Sequence, residues 1–598
     1  MSHYLKKLQS KLSPGVLFPQ KPLIRFAPNQ DFCPGCDSVS RVWKTHTREV
    51  ATLRIGHFIA HETQTYCPGC ADQPVVFLAE ELQQLVPPGA RYGYDVIAFI
   101  GQAIFLHCRN GKEIQEEFHA KNIAISLREI DYLGRRFIVY LALAHEQSQE
   151  KIRQFMGTQG GYILHLDGTC EGDSPHLMST IDALSQIVLD NIKIPTENAR
   201  QLIPFLRRIQ QAYGEPIALV HDMGVAILKA VAEVFPNTPD FICHFHFLKD
   251  IGKDLLEHDY STIRRHLKTH RIRTQLRAIA KAIKQSIEDA PDARQCLNHY
   301  LESKQLEEPD TPLRPLVAAY LIITWVVEAK SESNGFGFPF DRPHLDFYLR
   351  LQEAFPKLKA LKQKMGADAA LLPLMQIRKT LADRALSSTV SRMLDAVRVF
   401  EQLRGVMRIA QPDSREGLND EGEADMATIK ARLTQFRHSE EIKNLAAMTL
   451  AYRKMIRQID KYWDKLFADP IQVSTKTGSA FIQPQRTNNI LEQFFRYLKR
   501  NGRKRSGNHS LSKTLKTMLA QTPLVKNLEN PQYLEILLNG KVDLAERFAE
   551  IDIVEVRKAF EEAQRVTQKY PKRMAEVFKI PNLPQRLLEM PQKKSAGS

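Results

Sequence analysis

The stretch from Tyr162 to Phe245 restricts the fold most, because strand-length and helix-length patterns follow one another there in a set order. Tyr162–Leu166 is a short apolar run that ends at Asp167-Gly168. His176–Ala183 and Gln186–Ile192 read as two further strands with a short turn between them. After Pro195, Thr196–Tyr213 has the spacing of an amphipathic helix and stops at Gly214. Ile217–His221 is another buried strand, ending in Asp222; Gly224, a helix to Phe235 and a strand over Phe241–Phe245 follow. Three strands, helix, strand, helix, strand predicts a mixed sheet whose first and fourth strands lie side by side and parallel, joined by a right-handed crossover.

That is the order of an RNase H-like α/β core, and it has a chemical consequence. Two aspartates at the carboxyl ends of neighbouring parallel strands project into one space. Hard divalent cations such as Mg²⁺ or Mn²⁺ take oxygen ligands. Two of them about 3.5–4 Å apart can clamp the attacking and leaving oxygens of an in-line phosphoryl displacement. Asp167 and Asp222 fit the first two ligand positions. Either alone would read equally well as a strand-end residue turning the chain. The third acid is sought in Thr487–Arg496, where Thr487, Asn488 and Asn489 are good caps and put Glu492 near a helix start. Leu491, Phe494, Phe495 and Leu498 would face the core; Glu492, Arg496 and Lys499 share the other edge. A plain Glu492–Arg496 pair on a solvated face is the competing reading. Against it, Arg496, Lys499, Arg500, Arg503, Lys504 and Arg505 put six positive charges in ten residues, where a phosphate backbone would have to lie beside a metal carboxylate.

Four of the eight cysteines form two Cys-Pro-Gly-Cys knuckles, Cys33/Cys36 and Cys67/Cys70. Proline and glycine force each turn, and two such knuckles supply the four thiolates of one tetrahedral Zn²⁺ site. Val42–Tyr66 between them is rich in Thr, Val and His and reads as a strand pair, so the segment predicts a zinc ribbon. Its 30-residue gap is longer than the usual spacing of roughly 15–20. His46, His57 and His61 are expected at the surface or facing DNA rather than as ligands.

Asp95–His107 and Lys112–Lys121 have helical spacing, separated by Arg109-Asn110-Gly111. Ser126, with Glu129 three residues on, is a capping box opening a third helix. Short helix, turn and capped longer helix is the helix-turn-helix pattern, whose last helix can enter a major groove with residues such as Arg128. From about 254 to 480 the chain reads as helices with polar linkers such as Pro412–Glu423; beyond 511 it is helical again, fading into a basic tail. Trp325, within the apolar run Leu316–Val327, and Trp463 are expected in the core, with stacking on an unstacked base as the alternative.

The 598 residues are too many for one core. A net charge of +15 favours a polyanionic partner, nucleic acid before membrane. Met1–Pro22 lacks the apolar stretch of a signal peptide and no run is long enough to span a bilayer, so a reducing cytoplasm is expected.

His165-Leu166-Asp167-Gly168-Thr169, His221-Asp222-Met223-Gly224, Cys243-His244-Phe245-His246, and Thr487-Asn488-Asn489 with Glu492, Arg496 and Lys499 together resemble the DDE transposases. The likeness is to the prokaryotic insertion-sequence enzymes related to Mutator-like transposases. It implies DNA cleavage and strand transfer by Asp167, Asp222 and Glu492 with two Mg²⁺ or Mn²⁺ ions. It also implies double-stranded DNA as partner, a homodimer or higher oligomer on that DNA, and a nucleoid-associated setting. Cys243 and His246 match the family's Cys-x-x-His signature, for packing or for metal. The expected fold is therefore multidomain α+β: an N-terminal arm (1–30), zinc ribbon (31–86), helix-turn-helix (87–155), RNase H-like core (156–253 and 481–515), an all-helical insertion (254–480) and a helical C-terminal region (516–598). A nuclease of the same fold that cuts without joining, and a domesticated DNA-binding regulator that has lost catalysis, remain as alternatives. A zinc hydrolase does not, because no His-Glu-x-x-His motif is present.

Overall fold

The computed structural model describes residues 21–70, 75–303, 314–329, 335–365, 374–410, 425–564, 574, 577–578 and 580–588. Most of the expected N-terminal arm, the Pro412–Glu423 linker and the basic tail lie outside these residues. The chain is mixed α+β and divides into two units, one from the residues up to Asp240 and from Pro470 onward, the other Phe241–Asp469. No helix among the described residues is long and apolar enough to cross a membrane.

The first unit begins with a four-stranded sheet of β1 (Leu23–Phe26), β2 (Arg41–Thr52), β3 (Gly56–Tyr66) and β4 (Val76–Phe77). β2 and β3 form a long antiparallel hairpin, with β1 parallel and β4 antiparallel to β3. The hairpin's far end buries Val50, Phe58 and Ala60 with Phe26, against Ala79, Leu82 and Val86 around helix α1 (Glu80–Leu85). The long gap between the knuckles thus has a cause. One end of the hairpin brings the cysteines together, and the other needs enough length to make a core of its own.

Four helices follow: α2 (Tyr94–Phe105), α3 (Gly111–Ala120), α4 (Leu127–Gln147) and α5 (Gln149–Thr158). The reciprocal capping box forms at Asn110 and Glu113, opening α3. Ser126 Oγ caps α4 by accepting from Glu129 N at 3.1 Å. At 21 residues α4 is longer than a helix made only to lie in a groove, and from Ile130 to His145 it is largely buried.

The second sheet has the order β7-β6-β5-β8-β9, from β5 (Ile163–Thr169), β6 (His176–Asp182), β7 (Val188–Ile194), β8 (Ala218–His221) and β9 (Asp240–Ile242). β5 pairs antiparallel with β6 and parallel with β8. α6 (Ala199–Tyr213) and α7 (Val225–Val234) are the intervening helices. The strand expected over Phe241–Phe245 is cut to three residues, because Cys243 is the N-cap of helix α8 (His244–Thr269).

One continuous core joins these helices, the sheet and the C-terminal region: Phe137, Leu166, Phe205, Phe494, Tyr533 and Phe548 belong to it together. Residues of the helices before the sheet, of the sheet and of the C-terminal helices thus share one hydrophobic core. At the centre His145 Nε2 donates to Leu189 O at 2.9 Å, and Nδ1 meets the Tyr533 hydroxyl at 2.8 Å. Edge strand β7 is closed by side chains: Asn527 both accepts from Val188 N and donates to Val188 O, each at 2.8 Å.

From α8 to Trp463–Leu466 the described elements of the second unit are all helices. The expected helical stretch, 254–480, starts too late and runs on too far. Helix begins at His244, and Ile471–Thr475 with Gly478–Ile482 form an antiparallel hairpin (β10, β11) in the first unit. Trp325 is not core: it is 43% exposed on its helix, although its neighbours Val326 and Val327 are buried. Trp463 lies under Arg437, 4.3 Å from the ring centre, and edge-on to Phe467.

Candidate functional site

The parallel register of β5 and β8 pairs His165 with Val220 and Leu166 with His221. The next residue on each side is an aspartate. β5 runs on through Thr169 because β6 still pairs with it, Asp167 facing Ser179 in register. Asp167 thus sits inside its strand rather than after it, and is 6% exposed. β8 has no such support and ends at His221, leaving Asp222 in the loop before α7. Asp167 Oδ1 accepts from Gly168 N at 2.7 Å, and Asp222 Oδ1 from Met223 N.

Glu492 lies in the first turn of helix α9 (Asn489–Ser506). The N-cap is Asn488, but its side chain does not cap the helix. It is buried and fastened to β5 instead: Nδ2 donates to Leu166 O at 3.0 Å, while Oδ1 accepts from His165 Nδ1 at 2.9 Å. Leu491, Phe494 and Phe495 enter the core as their spacing predicted. Burial holds His165 in its neutral form, with its pKa lowered to about 4, so its one ring proton stays on Nδ1 for Asn488.

Burial raises the Asp167 pKa well above the usual carboxylate range, and the charges of Asp222, Glu492 and Glu197 raise it further against the Gly168 N–H. Glu197 is the residue that sequence reading missed. It stands just before α6, half-buried, and its own pKa is raised by burial and by Asp222. A Cβ on Gly224 would come within 2.4 Å of Glu197 Oε1, so the glycine gives that carboxylate its present place beside the Asp222 loop. No local pattern marks Glu197. Its nearness to Asp222 arises only when the turn after β7 meets the end of β8.

Four carboxylates therefore share one electrostatic environment near the carboxyl ends of β5 and β8. Each gives hard oxygen donors, and burial with mutual repulsion is relieved by a divalent cation, so the donor set fits Mg²⁺ or Mn²⁺. Glu492 also faces Arg496, 3.8 Å away, with 18% of its side chain exposed. The carboxylates stand wider apart than the cysteines. Among the described residues, only Cys33, Cys36, Cys67 and Cys70 form a set of three or more whose ligand atoms all lie within 4.8 Å of one another.

In that cluster Cys36 Sγ is 3.3 Å from Cys67 Sγ, and Cys33 Sγ is 3.9 Å from Cys70 Sγ. Asp37, in a left-handed conformation (φ 52°), closes the first knuckle by donating N–H to Cys33 O at 2.9 Å. Gly69 lets the second knuckle approach, since a Cβ there would lie 2.3 Å from Ser38 Oγ. Hydrogen bonding from Ser38 brings the Cys36 thiol down to about 6, while its bond with Cys36 pushes Cys70 up to about 12. Four sulfurs at these separations could hold a structural zinc. His57 is not a free surface group: its Nε2 accepts from Ala124 N at 2.9 Å.

Of the basic run, Arg496, Lys499, Arg500, Arg503 and Lys504 are exposed on α9. Lys499 lies 3.8 Å from Glu171. Arg505 departs from the run: it is half-buried, with its guanidinium over Phe105. Arg128 is exposed in the first turn of α4, beside Leu127 at 44% exposure. Cys243 is buried at the start of α8 and His246 lies in its first turn. Neither belongs to a group of three or more metal-ligand side chains among the described residues. No protein-family model matches the chain, and no curated protein matches it.

Proposed function

We propose that the chain carries out divalent-metal-dependent phosphoryl transfer on DNA, as a DDE transposase with an RNase H-like core interrupted between Asp222 and Glu492 by the helical unit Phe241–Asp469. The observation that carries the reading is that the charges of Asp222 and Glu492, on elements far apart in sequence, both bear on the buried carboxyl of Asp167. Sheet order β7-β6-β5-β8-β9, with β5 parallel to β8, supports the RNase H-like assignment. The exposed cations of α9 and the net charge of +15 support a DNA partner. The four-cysteine module, as a zinc ribbon, and the first turn of α4 with Arg128 are the proposed end-binding elements.

In this reading Asp167, Asp222 and Glu492 hold the metal, with Glu197 beside them. The bound metal supplies charge stabilisation at the phosphoryl group and a water or hydroxyl nucleophile of lowered pKa. Asn488 keeps the Glu492 helix against β5, and Arg500 and Arg503 take phosphates of the strand being cut. The test is a cleavage and strand-transfer assay with Mg²⁺ on DNA carrying the element's ends. Asp167→Asn, Asp222→Asn and Glu492→Gln should each abolish both products and leave end binding intact. Full activity in any one removes that residue from the site; cleavage without joining in the parent protein reduces the enzyme to a nuclease.

A further inference from the structure

A cavity of about 320 Å³ lies between α2, the start of α4, the second half of α9 and residues 514–526. Four of its lining residues are cations, Arg109, Arg135, Arg505 and Lys526, against a single acid, Asp131. Three of the cations are already paired: Arg109 with Glu117, Arg135 with Asp131 at 3.1 Å, and Lys526 with Glu529. Arg505 is the exception. Its guanidinium lies over the Phe105 ring, 5.7 Å from the centroid, and makes no ion pair or hydrogen bond among the described residues. Burial lowers its pKa, and Cys108 and Asp131 offset only part of that penalty.

A guanidinium withdrawn from water without an anion is unfavourable, and the penalty is lifted when an anion arrives. Phe105 occupies the flat face of Arg505, which leaves the planar N–H edge for a ligand. That edge matches two oxygens of a phosphate in a way a point charge does not. The rest of the cavity is not a simple anion hole, because Ile130 and Leu498 make an apolar wall within it. A ligand filling both parts is anionic at one end and flat or apolar at the other.

We propose that this cavity binds a nucleotide, its phosphate on the edge of Arg505 and its base or sugar against Ile130 and Leu498. The site uses none of the four carboxylates, so it stands or falls separately from the catalytic reading. A free nucleotide and the end of a DNA strand present the same chemistry here.

The test uses the full chain without divalent metal. Equilibrium dialysis with labelled dAMP measures the free nucleotide, and fluorescence anisotropy with a short 5′-phosphorylated single strand measures the strand end. Arg505→Met keeps the packing on Phe105 and removes the fork, and should weaken binding about tenfold or more. Arg505→Lys should recover only part of the loss. Lys526→Met, elsewhere on the lining, should weaken binding by a smaller factor and carries the test if Arg505→Met fails to fold. Loss of dAMP binding identifies a free-nucleotide site, and loss confined to the strand identifies a strand-end site. Absence of binding by the parent protein, or unchanged affinity for both probes in the folded variants, overturns the proposal.

Discussion

Asn488 donates its side-chain N–H to the carbonyl of Leu166 at 3.0 Å, tying the helix that carries Glu492 to the strand whose next residue is Asp167. The two positions are 322 residues apart in the chain. Residues Phe241–Asp469 form a unit of their own within that interval, and the bond fixes the Glu492 helix against β5 after it.

Asn488→Leu should therefore be costly. It leaves Leu166 O and His165 Nδ1 buried without their partner, at about 1–3 kcal/mol for each group. Denaturant titration should show a lowered midpoint. Mg²⁺-dependent activity should fall even under conditions where the variant is fully folded, because the Glu492 helix has lost its tether. Activity equal to the parent's would show that the bond does not position Glu492.

The acids predict a conflict between stability and activity. The Asp167 pKa in the folded chain is raised well above its ordinary value. The stabilisation linked to its retained proton is fully present below the unfolded pKa of about 3.9, and is lost as pH rises through the higher folded value. In metal-free protein, Asp167→Asn should then be more stable than the parent by about 1 kcal/mol or more at neutral pH. The gap should close as the pH falls towards 4. Mg²⁺ at 100 times its Kd should add about 2.7 kcal/mol to the parent and little to the variant. Melting curves across pH, with and without Mg²⁺, check both signs; a pH-independent gap would contradict the assigned environment of Asp167.

Glu197→Gln should also stabilise the metal-free protein, because it removes a charge facing Asp222. Its apparent Mg²⁺ affinity should weaken severalfold, while the three principal acids stay in place. Titration of activity against Mg²⁺ separates this from a simple loss of turnover. An unchanged Mg²⁺ requirement would leave Glu197 as a bystander.

The cysteine cluster should hold one zinc per chain, and removing it should loosen the knuckles before the hairpin core around Val50 and Phe58. Chelation followed by alkylation, read by mass spectrometry, should label Cys36 first, since its thiol is lowered to about 6. Reduced, purified protein without zinc on elemental analysis would defeat the assignment.

The cations of α9 and of α4 should part company in DNA binding. Replacing Arg500 and Arg503 by alanine should lower the salt slope by about 0.9 for each phosphate no longer neutralised, whatever the DNA sequence. Arg128→Ala should instead shift the selected sequence if the first turn of α4 reads a groove. Binding-site selection unchanged by Arg128→Ala would remove α4 from recognition.

Much of this chain could be read locally. Both cysteine knuckles, the strand and helix order from Tyr162 to Phe235, and the core face of the Glu492 helix follow from residue type and period, because each is set within a turn or two of backbone. Glu197 could not be read that way, since its place depends on Gly224, in the loop that follows β8. Nor could Asn488, whose side chain looked like a helix cap until a buried strand carbonyl claimed it. Arg505 belonged to a uniform basic run in one dimension and parted from it only when Phe105 came under its guanidinium. The C-terminal helices read as a separate region, but their apolar faces have no partner of their own and close the core of the first unit. Period and composition fix which faces must be buried; which faces meet, and so which charges are left facing one another, is decided only by the packing.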